Sequence, residues 1–241
     1  DTPQKHWRIS TPLTLKARAA AEYTVGTLKA KRVGILLDPA DARGVRLASQ
    51  FSSALIAQGG VVAEIAYLGK SARAGRSPLV DLAGKKVEAI FLPDAHGAPR
   101  LIVSGRDQGI KTPFLLADVG REEEFVKAVG ASRDIYLVSD FHPDFALGEN
   151  AKRFLELYRR EFGEPETIAA LAADAYFLLC DTLPYWGAGR ERPSQMLMQA
   201  FKDKGYLSGK IDISTTGMLI RNAYICGIHA SRLRCLETFR P

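Results

Sequence analysis

The chain has 241 residues, of which 46% are hydrophobic and 25% are charged, and this composition predicts a globular protein of one large domain or two small ones. No run of eighteen apolar residues occurs, so the sequence predicts no membrane-spanning helix. The formal net charge is +6, with the basic excess in the first 46 residues. These charges fall on the polar faces and turns of separate elements, without a regular alternation with aromatic residues, and nucleic-acid binding is not favoured.

The first predicted elements form one helix followed by a β-loop-α-β unit. A helix is predicted over Leu13–Leu28, after a Ser-Thr-Pro capping signal. The apolar run Arg32–Leu37 predicts a strand, and a turn rich in Asp, Pro and Gly ends it. From Val45 the apolar residues recur every fourth position, which predicts a helix, and Val61–Leu68 predicts the next strand. Such a crossover makes the two strands parallel neighbours in one sheet.

The same alternation of strand and helix continues to residue 139. Strands are predicted at Val87–Leu92, Pro113–Ala117 and Asp134–Ser139, with helices at Pro78–Gly84, Pro99–Gln108 and Arg121–Val129. Short connections between such elements predict an α/β fold with a doubly wound, Rossmann-like parallel sheet. The loops that follow its strands are expected at the carboxyl edge, where α/β folds bind ligands.

After the polar, proline-containing segment 141–148 the pattern changes from strands to helices. Helices with apolar stripes are predicted at Ala151–Phe162, Thr167–Leu183 and Ser194–Lys204, before a return to strands at Asp212–Thr216 and a terminal hairpin. The stripes of these three helices need an apolar surface to cover them. The sequence provides no strands of their own for these helices to cover.

Three cysteines occur without a CxxC pair or a nearby pair of histidines, so no metal site is predicted from them. Cys226 and Cys235 lie in the two strands of the terminal hairpin, on either side of a turn at 229–232. If the strands pair symmetrically, the two sulfur atoms face each other, and we hypothesise a disulfide between them. Cys180 lies among apolar residues and is predicted to be buried.

Sequence motifs for catalysis are absent. No GxGxxG or GxxxxGK[ST] follows a strand, no GxSxG is present, and the four histidines are scattered. The sequence therefore predicts neither an enzyme nor a bound cofactor. Asp140, His142 and Asp144 form a D-x-H-x-D pattern that could hold a metal ion, but carboxylates in such a loop more commonly cap helices or contact solvent. No metal site is predicted.

Several segments together resemble the type I periplasmic solute-binding proteins, the branched-chain amino-acid-binding family of ABC transporters. They are WRISTPLTLKARAAAEYTVGTLKAKRVGILLDPADARGVRLASQF, VEAIFLPDAHGAPRLIVSGRDQGIKTPFLLADV, FLELYRREFGEP with ALAADAYFLLCDTL, and GKIDISTTGMLIRNAYICGI. The resemblance covers nearly the whole chain, and the order of the segments is its strongest part.

The resemblance implies a division into two lobes. Residues 13–142 with 222–241 correspond to the family's second α/β lobe, and residues 143–221 to a helical remnant of its first lobe. The chain begins where the second lobe begins, so the portion that forms most of the first lobe's sheet is missing. We expect that the gene product is longer, that another chain (including a second copy in a homo-oligomer) supplies the sheet, or that this is a shortened variant.

The resemblance also implies candidate ligand contacts. Asp118 matches the position where the family has a polar or acidic group for a ligand ammonium, and Asp94 and His96 lie where it places an aromatic contact. Arg43 precedes the glycine of the first loop, where the family commonly has an aromatic residue. Phe141 lies on the crossover between the lobes.

Each of these residues also has a purely structural interpretation. Asp118 could cap the following helix or stabilise a turn, and Arg43 could be a solvated surface residue, with Asp41 beside it favoured as a helix cap. His96 could be an exposed turn residue, and Phe141 could form the hinge. The tyrosine of the family's Tyr-Asp-Ala helix motif is Ala173 here, a second departure from the family pattern.

The expected function is therefore that of an extracytoplasmic, periplasmic component of an ABC importer. It would bind an amino acid or a related small carboxylate between two lobes without catalysis and would be recognised by the transporter's permease. The signal peptide is not within this chain, because its first residues lack an apolar core. The alternative is a shortened scaffold of the same fold that acts as a regulatory or protein-interaction subunit, since half a cleft would bind a small ligand weakly.

Overall fold

The computed structural model describes residues 8–69, 77–93, 97–117, 119, 122–185, 204–213, 219–229 and 231–240. The chain forms two compact units. Unit 1 consists of residues 1–11, 140–224 and 238–241, and unit 2 of residues 12–139 and 225–237. The sequence predicted boundaries after residues 12, 142 and 221. In the structure the chain passes between the units after residues 11, 139, 224 and 237.

Seven α-helices and ten strands lie in the described part of the chain. The helices are α1 (Leu13–Gly26), α2 (Ala42–Ala57), α3 (Pro78–Ala83), α4 (Ala98–Asp107), α5 (Glu122–Val129), α6 (Glu149–Phe162) and α7 (Thr167–Thr182). The strands are β1 (Arg32–Leu37), β2 (Val61–Tyr67), β3 (Ala89–Leu92), β4 (Phe114–Leu116), β5 (Ile135–Ser139), β6 (Gly205–Tyr206), β7 (Gly209–Ile213), β8 (Leu219–Arg221), β9 (Ala223–His229) and β10 (Arg232–Phe239). Short 3-10 turns occupy Pro143–Phe145 and Leu183–Tyr185.

Unit 2 is built on a seven-stranded sheet with the order β10-β9-β5-β4-β3-β1-β2. Parallel pairs join β1 to β2, β1 to β3, β3 to β4 and β4 to β5. The non-consecutive order places β1 between β3 and β2, which is the strand order of a doubly wound sheet. The fold class predicted from the sequence is confirmed for this unit.

The central strands are apolar on both faces because helices cover both faces of a parallel sheet. Every residue of β3 and β4 is buried, and so are the last five residues of β1. Between the sheet and α2, the rings of Phe51 and Phe91 stack with centroids 4.0 Å apart. By contrast, β2 is an edge strand with exposed apolar residues, including Val61.

Unit 1 contains α6 and α7 together with a small antiparallel sheet of β6, β7 and β8. The expectation that its helices lack strands of their own is wrong. These strands were not evident from the sequence because they are short and rich in glycine and polar residues. Leu207 and Phe141 pack with both helices in one apolar cluster. Tyr206, Ile211 and Leu178 form a second cluster. The predicted helix over Ser194–Lys204 lies outside the described residues, except for Lys204.

Two further observations bear on the sequence analysis. Cys180 is exposed on α7, so its predicted burial is wrong: the apolar neighbours that suggested burial include Leu179, which is itself 56% exposed. None of the described helices is both long enough and apolar enough to cross a membrane.

Candidate functional site

The candidate site is the carboxyl edge of the parallel sheet in unit 2. In the observed register Leu92 of β3 lies beside Leu116 of β4, and Ile35 of β1 lies beside Phe91 of β3. The loops that follow β1, β3 and β4 therefore leave the sheet at one edge, next to one another. This is where open α/β sheets bind ligands.

The loop from β1 to α2 is held by its own side chains. The Asp38 carboxylate accepts a hydrogen bond of 2.9 Å from the Ala40 amide, and the Asp41 carboxylate accepts one of 2.9 Å from the Arg43 amide. The prediction that Asp41 caps the helix is confirmed. A Cβ atom at position 44 would lie 2.5 Å from the Asp41 carboxylate, so a larger residue than Gly44 would displace the capping side chain.

Arg43 is exposed in the first turn of α2. The amino-terminal end of a helix carries a partial positive charge, and the first turn of α2 contains no acidic residue. The guanidinium of Arg43 adds a full positive charge at the same place. The Asp41 carboxylate already caps this end of the helix, so attraction of a ligand carboxylate there would depend on the guanidinium of Arg43. Ligand binding by Arg43 stays a prediction.

The other predicted contacts on this edge are Asp94, His96 and Asp118, and all three lie outside the described residues. The chain around them is described. Asp94 and His96 belong to the connection between β3 and α4, and Asp118 to the connection between β4 and α5. Both connections follow strands of the candidate edge. The roles predicted for these residues remain predictions.

Phe141 belongs to the core of unit 1. Its side chain is 4% exposed and packs with Leu155 and Ala170 of the two helices and with Leu207. Apolar packing thus accounts for its position two residues after β5. A contact between Phe141 and a ligand stays a prediction.

The three residues of the D-x-H-x-D pattern do not share one site: Asp140 bonds to Thr11, while His142 and Asp144 contact each other. The Asp140 carboxylate accepts a hydrogen bond of 2.9 Å from the Thr11 amide, whereas His142 Nδ1 accepts one of 3.4 Å from the Asp144 amide. Asp140 is buried, and Asp144 is exposed. No cluster of three or more potential metal ligands is found among the described residues.

A buried polar network in unit 1 was not predicted from the sequence, and Arg221 is at its centre. Its guanidinium donates hydrogen bonds to the carbonyl oxygens of Ile9 and Asp140, and the residue is 1% exposed. Burial lowers the pKa of Arg221, while the charges of Asp140 and Asp174 act in the opposite direction. Arg221 thereby joins two separate segments of unit 1.

Asp174 is the second buried charge of unit 1. Its carboxylate accepts hydrogen bonds from the Leu207 amide at 2.7 Å, from the Ser208 amide at 3.0 Å and from the Ser208 hydroxyl. Burial raises the pKa of Asp174, and the bonds from Ser208 and Leu207 partly oppose this shift. Asp174 fixes the turn between β6 and β7 against α7. The Ala-Asp-Ala triplet contains Asp174, but the sequence comparison concerned only the tyrosine that Ala173 replaces, so the buried carboxylate was not predicted.

An open groove of about 540 Å³ lies between α6 and α7 within unit 1. Its lining is largely aromatic and aliphatic and includes Phe154, Leu157, Tyr158, Tyr176 and Phe177. We call the exposed apolar side of the two helices the α6–α7 face; its most exposed members are Leu157, Phe162, Ile168, Tyr176 and Leu179. An apolar face of this kind marks an interaction surface or a packing surface.

Sequence comparison finds no matching family model and no matching curated protein. Structural comparison finds strong similarity. The leucine-binding protein LivK from Thermotoga maritima matches with a TM-score of 0.81 at 23% identity, over 98% of this chain and 68% of that chain. The branched-chain amino acid transporter substrate-binding protein LivJ from Streptococcus pneumoniae, in complex with isoleucine, matches with a TM-score of 0.76 at 23% identity, over 96% and 66%.

A solute-binding protein of an ABC transporter from R. palustris, in complex with benzoate, matches with a TM-score of 0.77 at 17% identity, over 98% of this chain and 65% of that chain. The chain has the fold of the type I periplasmic binding proteins. The resemblance noted in the sequence is thus confirmed at the level of the fold. The chain spans about two thirds of the length of these proteins.

Proposed function

We propose that this chain is the extracytoplasmic solute-binding component of an ABC importer and that it captures an amino acid or a related small carboxylate without converting it. The type I periplasmic-binding-protein fold supports this role. Neighbours with this fold are named as leucine-binding or branched-chain amino acid-binding proteins, and others were solved with benzoate or 4-hydroxybenzoate. All of these ligands carry a carboxylate.

The observation that carries the proposal is the position of Arg43 on the sheet edge. Arg43 is exposed in the first turn of α2, the helix that follows β1 at the edge where parallel sheets bind ligands, and its charge is opposite to that of a carboxylate. We assign Arg43 to the ligand carboxylate and Asp118 to an ammonium group. Asp94 and His96 are assigned to the remaining contacts, whereas the buried Phe141 is assigned a structural role in the core of unit 1. The transporter's permease would be the protein partner, and the periplasm or another extracytoplasmic space the location.

The α6–α7 face supports the proposed relation of residues 143–221 to the family's first lobe. Large apolar side chains on it are more than 40% exposed, for example Leu157 at 43% and Tyr176 at 64%. In the structural neighbours about a third of the chain has no counterpart here. We propose that a sheet from that missing third, in a longer product or in a second chain, covers this face.

The experiment that tests the solute-binding role is calorimetric titration of the protein with leucine and, separately, with benzoate. Arg43→Gln should weaken binding of both ligands about tenfold or more, because both lose a charge-assisted hydrogen bond. Arg46→Gln is the matched control, since Arg46 is exposed on the same helix one turn further on. Asp118→Asn should weaken binding of leucine alone, because benzoate has no ammonium group.

The outcomes separate the ligand assignment from the function. Binding that Arg43→Gln and Arg46→Gln weaken equally would leave a solute-binding protein but overturn the role of Arg43. No binding of any amino acid or aromatic carboxylate, even at millimolar concentration, would overturn the solute-binding function itself.

A second candidate function is that of an interaction or regulatory subunit, and the α6–α7 face is the observation that favours it. In this case the face would bind another protein or a second copy of the chain. Sedimentation at increasing concentration should then show association that Leu157→Gln abolishes while ligand binding is unaffected. A monomer at all concentrations, with measurable ligand affinity, would favour the first candidate.

A further inference from the structure

The terminal hairpin brings two thiols together on adjacent strands of unit 2. β9 and β10 are neighbours at the end of the seven-stranded sheet, and the two residues 230–231 connect them. A connection this short makes the strands antiparallel and pairs Cys226 with Cys235. The two thiols lie close enough that Cys235 affects the ionisation of Cys226. In antiparallel pairs the Cα atoms of opposite residues lie about 4.5–5.5 Å apart, which is within the range that a disulfide spans.

The two cysteines differ in their access to solvent. Cys226 is 0% exposed, whereas Cys235 is partly exposed and its thiol donates a hydrogen bond of 3.5 Å to the Glu237 carbonyl oxygen. The hydrogen bond with Cys235 and burial both raise the pKa of Cys226, and the charge of Glu122 adds to this effect. A thiol with a raised pKa is a poor initial nucleophile because little thiolate is present. An oxidant therefore meets Cys235 first.

We propose that Cys226 and Cys235 form a redox-active pair that closes to a disulfide by thiol–disulfide exchange, with Cys235 as the attacking thiol and Cys226 as the resolving thiol. The oxidant is a molecule of the disulfide class, either a small one such as glutathione disulfide or a protein disulfide. The pair is part of unit 2 and its chemistry is independent of the proposed solute-binding function.

The reaction has two balanced steps. The Cys235 thiol gives its proton to solvent, and its thiolate attacks one sulfur of the oxidant, whose S–S bond breaks and releases one thiolate. The Cys226 thiol then gives up its proton, and its thiolate attacks Sγ of Cys235. The mixed disulfide breaks and releases the second thiolate. Two protein thiols are oxidised by two electrons in total, and one oxidant disulfide is reduced to two thiols.

The position of the pair gives the disulfide a structural consequence. β10 is the edge strand of the sheet, and edge strands lack a hydrogen-bonding partner on one side. The chain passes between the two units after Tyr224 and after Glu237, each two residues from a cysteine of the pair. The disulfide would fix the spacing of the two strands beside these passages. Oxidised protein should therefore unfold at a temperature about 5 °C or more above that of reduced protein.

The test is to incubate the purified, reduced protein with glutathione disulfide, alkylate it under denaturing conditions and determine its intact mass. The chain contains three cysteines, so we expect two of them to be lost to an internal link that lowers the mass by two hydrogens, while the exposed Cys180 either is alkylated or carries one glutathione. Trypsin should then release the peptides 222–232 and 235–241 as one linked species. Reduction with dithiothreitol should restore three alkylated thiols and the lower unfolding temperature.

Two variants test the assigned roles. In Cys226→Ala the resolving thiol is absent, so glutathione should remain attached to Cys235. In Cys235→Ser the attacking thiol is absent, so Cys226 should stay unmodified over the same period. Cys180→Ser is the control and should still form the linked peptide. The thiol count of the unmutated protein decides the proposal even where a variant does not fold.

Three results would overturn the proposal. The first is three alkylatable thiols after an incubation that fully oxidises dithiothreitol. The second is a stable mixed disulfide at Cys235 in the unmutated protein without the internal link. The third is a link between molecules instead of within one. Attack by Cys226 before Cys235, seen as glutathione bound to the Cys235→Ser variant, would overturn the assigned order.

Discussion

Units 1 and 2 both have apolar packing, but buried charges are prominent only in unit 1. In unit 2 the parallel sheet is buried on both faces by apolar side chains, and the Phe51–Phe91 stack shows how closely α2 packs on it. In unit 1 the segments are joined by hydrogen bonds to two buried charges, Arg221 and Asp174. The helices of unit 1 also leave the apolar α6–α7 face exposed. The sheet of unit 2 is covered by its own helices, whereas the helix pair of unit 1 keeps apolar side chains exposed.

The largest expected effect is in the core of unit 2. Phe91→Ala should reduce the free energy of unfolding by about 3–5 kcal/mol, because Phe91 is 0% exposed and its loss leaves a cavity against Phe51. Urea denaturation measures this change. The control is Phe162→Ala in unit 1, where the ring is 75% exposed and the loss should stay below about 1 kcal/mol. Equal losses would contradict the open position of Phe162 on the helices of unit 1.

The next effect concerns the charge that joins the segments of unit 1. Arg221→Met removes two buried hydrogen bonds, to Ile9 and Asp140, and should cost about 3 kcal/mol. Hydrogen–deuterium exchange should increase in unit 1 more than in unit 2. Arg160→Met, at an exposed ion pair on α6, should change stability by no more than about 0.5 kcal/mol. An equal increase of hydrogen–deuterium exchange in both units of the Arg221→Met variant would refute the role of Arg221 in stabilising unit 1.

A smaller effect, with a pH dependence, is expected at Asp174. Asp174→Ala leaves the amides of Leu207 and Ser208 without their acceptor and should cost about 1–3 kcal/mol at neutral pH. In the unmutated protein burial raises the pKa of Asp174, so the native state holds this proton more tightly than the unfolded chain. Its contribution to stability should therefore decrease as pH rises from the ordinary aspartate pKa to the raised native value.

The measurement for Asp174 is the urea midpoint as a function of pH. The decrease between the two pKa values should be present in the unmutated protein and absent from Asp174→Ala. Glu156→Ala, at an exposed position of α6, is the control and should retain it. The same slope in all three proteins would assign the pH dependence to another group.

The smallest effect is expected on the α6–α7 face. Leu179→Gln should change the free energy of unfolding of this chain by no more than about 0.5 kcal/mol, since the side chain is 56% exposed and both residues are good helix formers. The neighbouring Leu178→Gln provides the matched comparison. Leu178 is buried with Tyr206 and Ile211 and should cost several times more. A large cost at Leu179 would mean that the chain already covers this face.

Local patterns were sufficient to predict most of unit 2. β1 has the bounds that the apolar run Arg32–Leu37 predicted, and α2, α4 and α5 begin and end within a few residues of their predicted bounds. Prediction succeeded because a strand buried on both faces is a continuous apolar run, and a helix that covers it has an apolar stripe. Asp41 was recognised for a similarly local reason, since a cap bonds within its own turn.

Prediction was weaker for unit 1 and for the candidate site. The strands β6 and β8 are two and three residues long and carry no periodic signal. Arg221 was not recognised because its partners are Ile9, which is 212 positions away, and Asp140, which is 81 positions away. Asp94, His96 and Asp118 were chosen by resemblance and by their position after strands. These three residues lie outside the part of the chain that the structure describes.

The sequence by itself determined the alternation of strands and helices and the parallel sheet, because these depend on the order and spacing of apolar residues. The resemblance to solute-binding proteins came from particular segments and their order along the chain. Tertiary structure decided which polar residues are buried, that Cys180 is exposed while Cys226 is enclosed, and that α6 and α7 present an open apolar face. Burial and hydrogen-bond partners depend on segments that are distant in the chain and adjacent in space, and no local pattern contains that information.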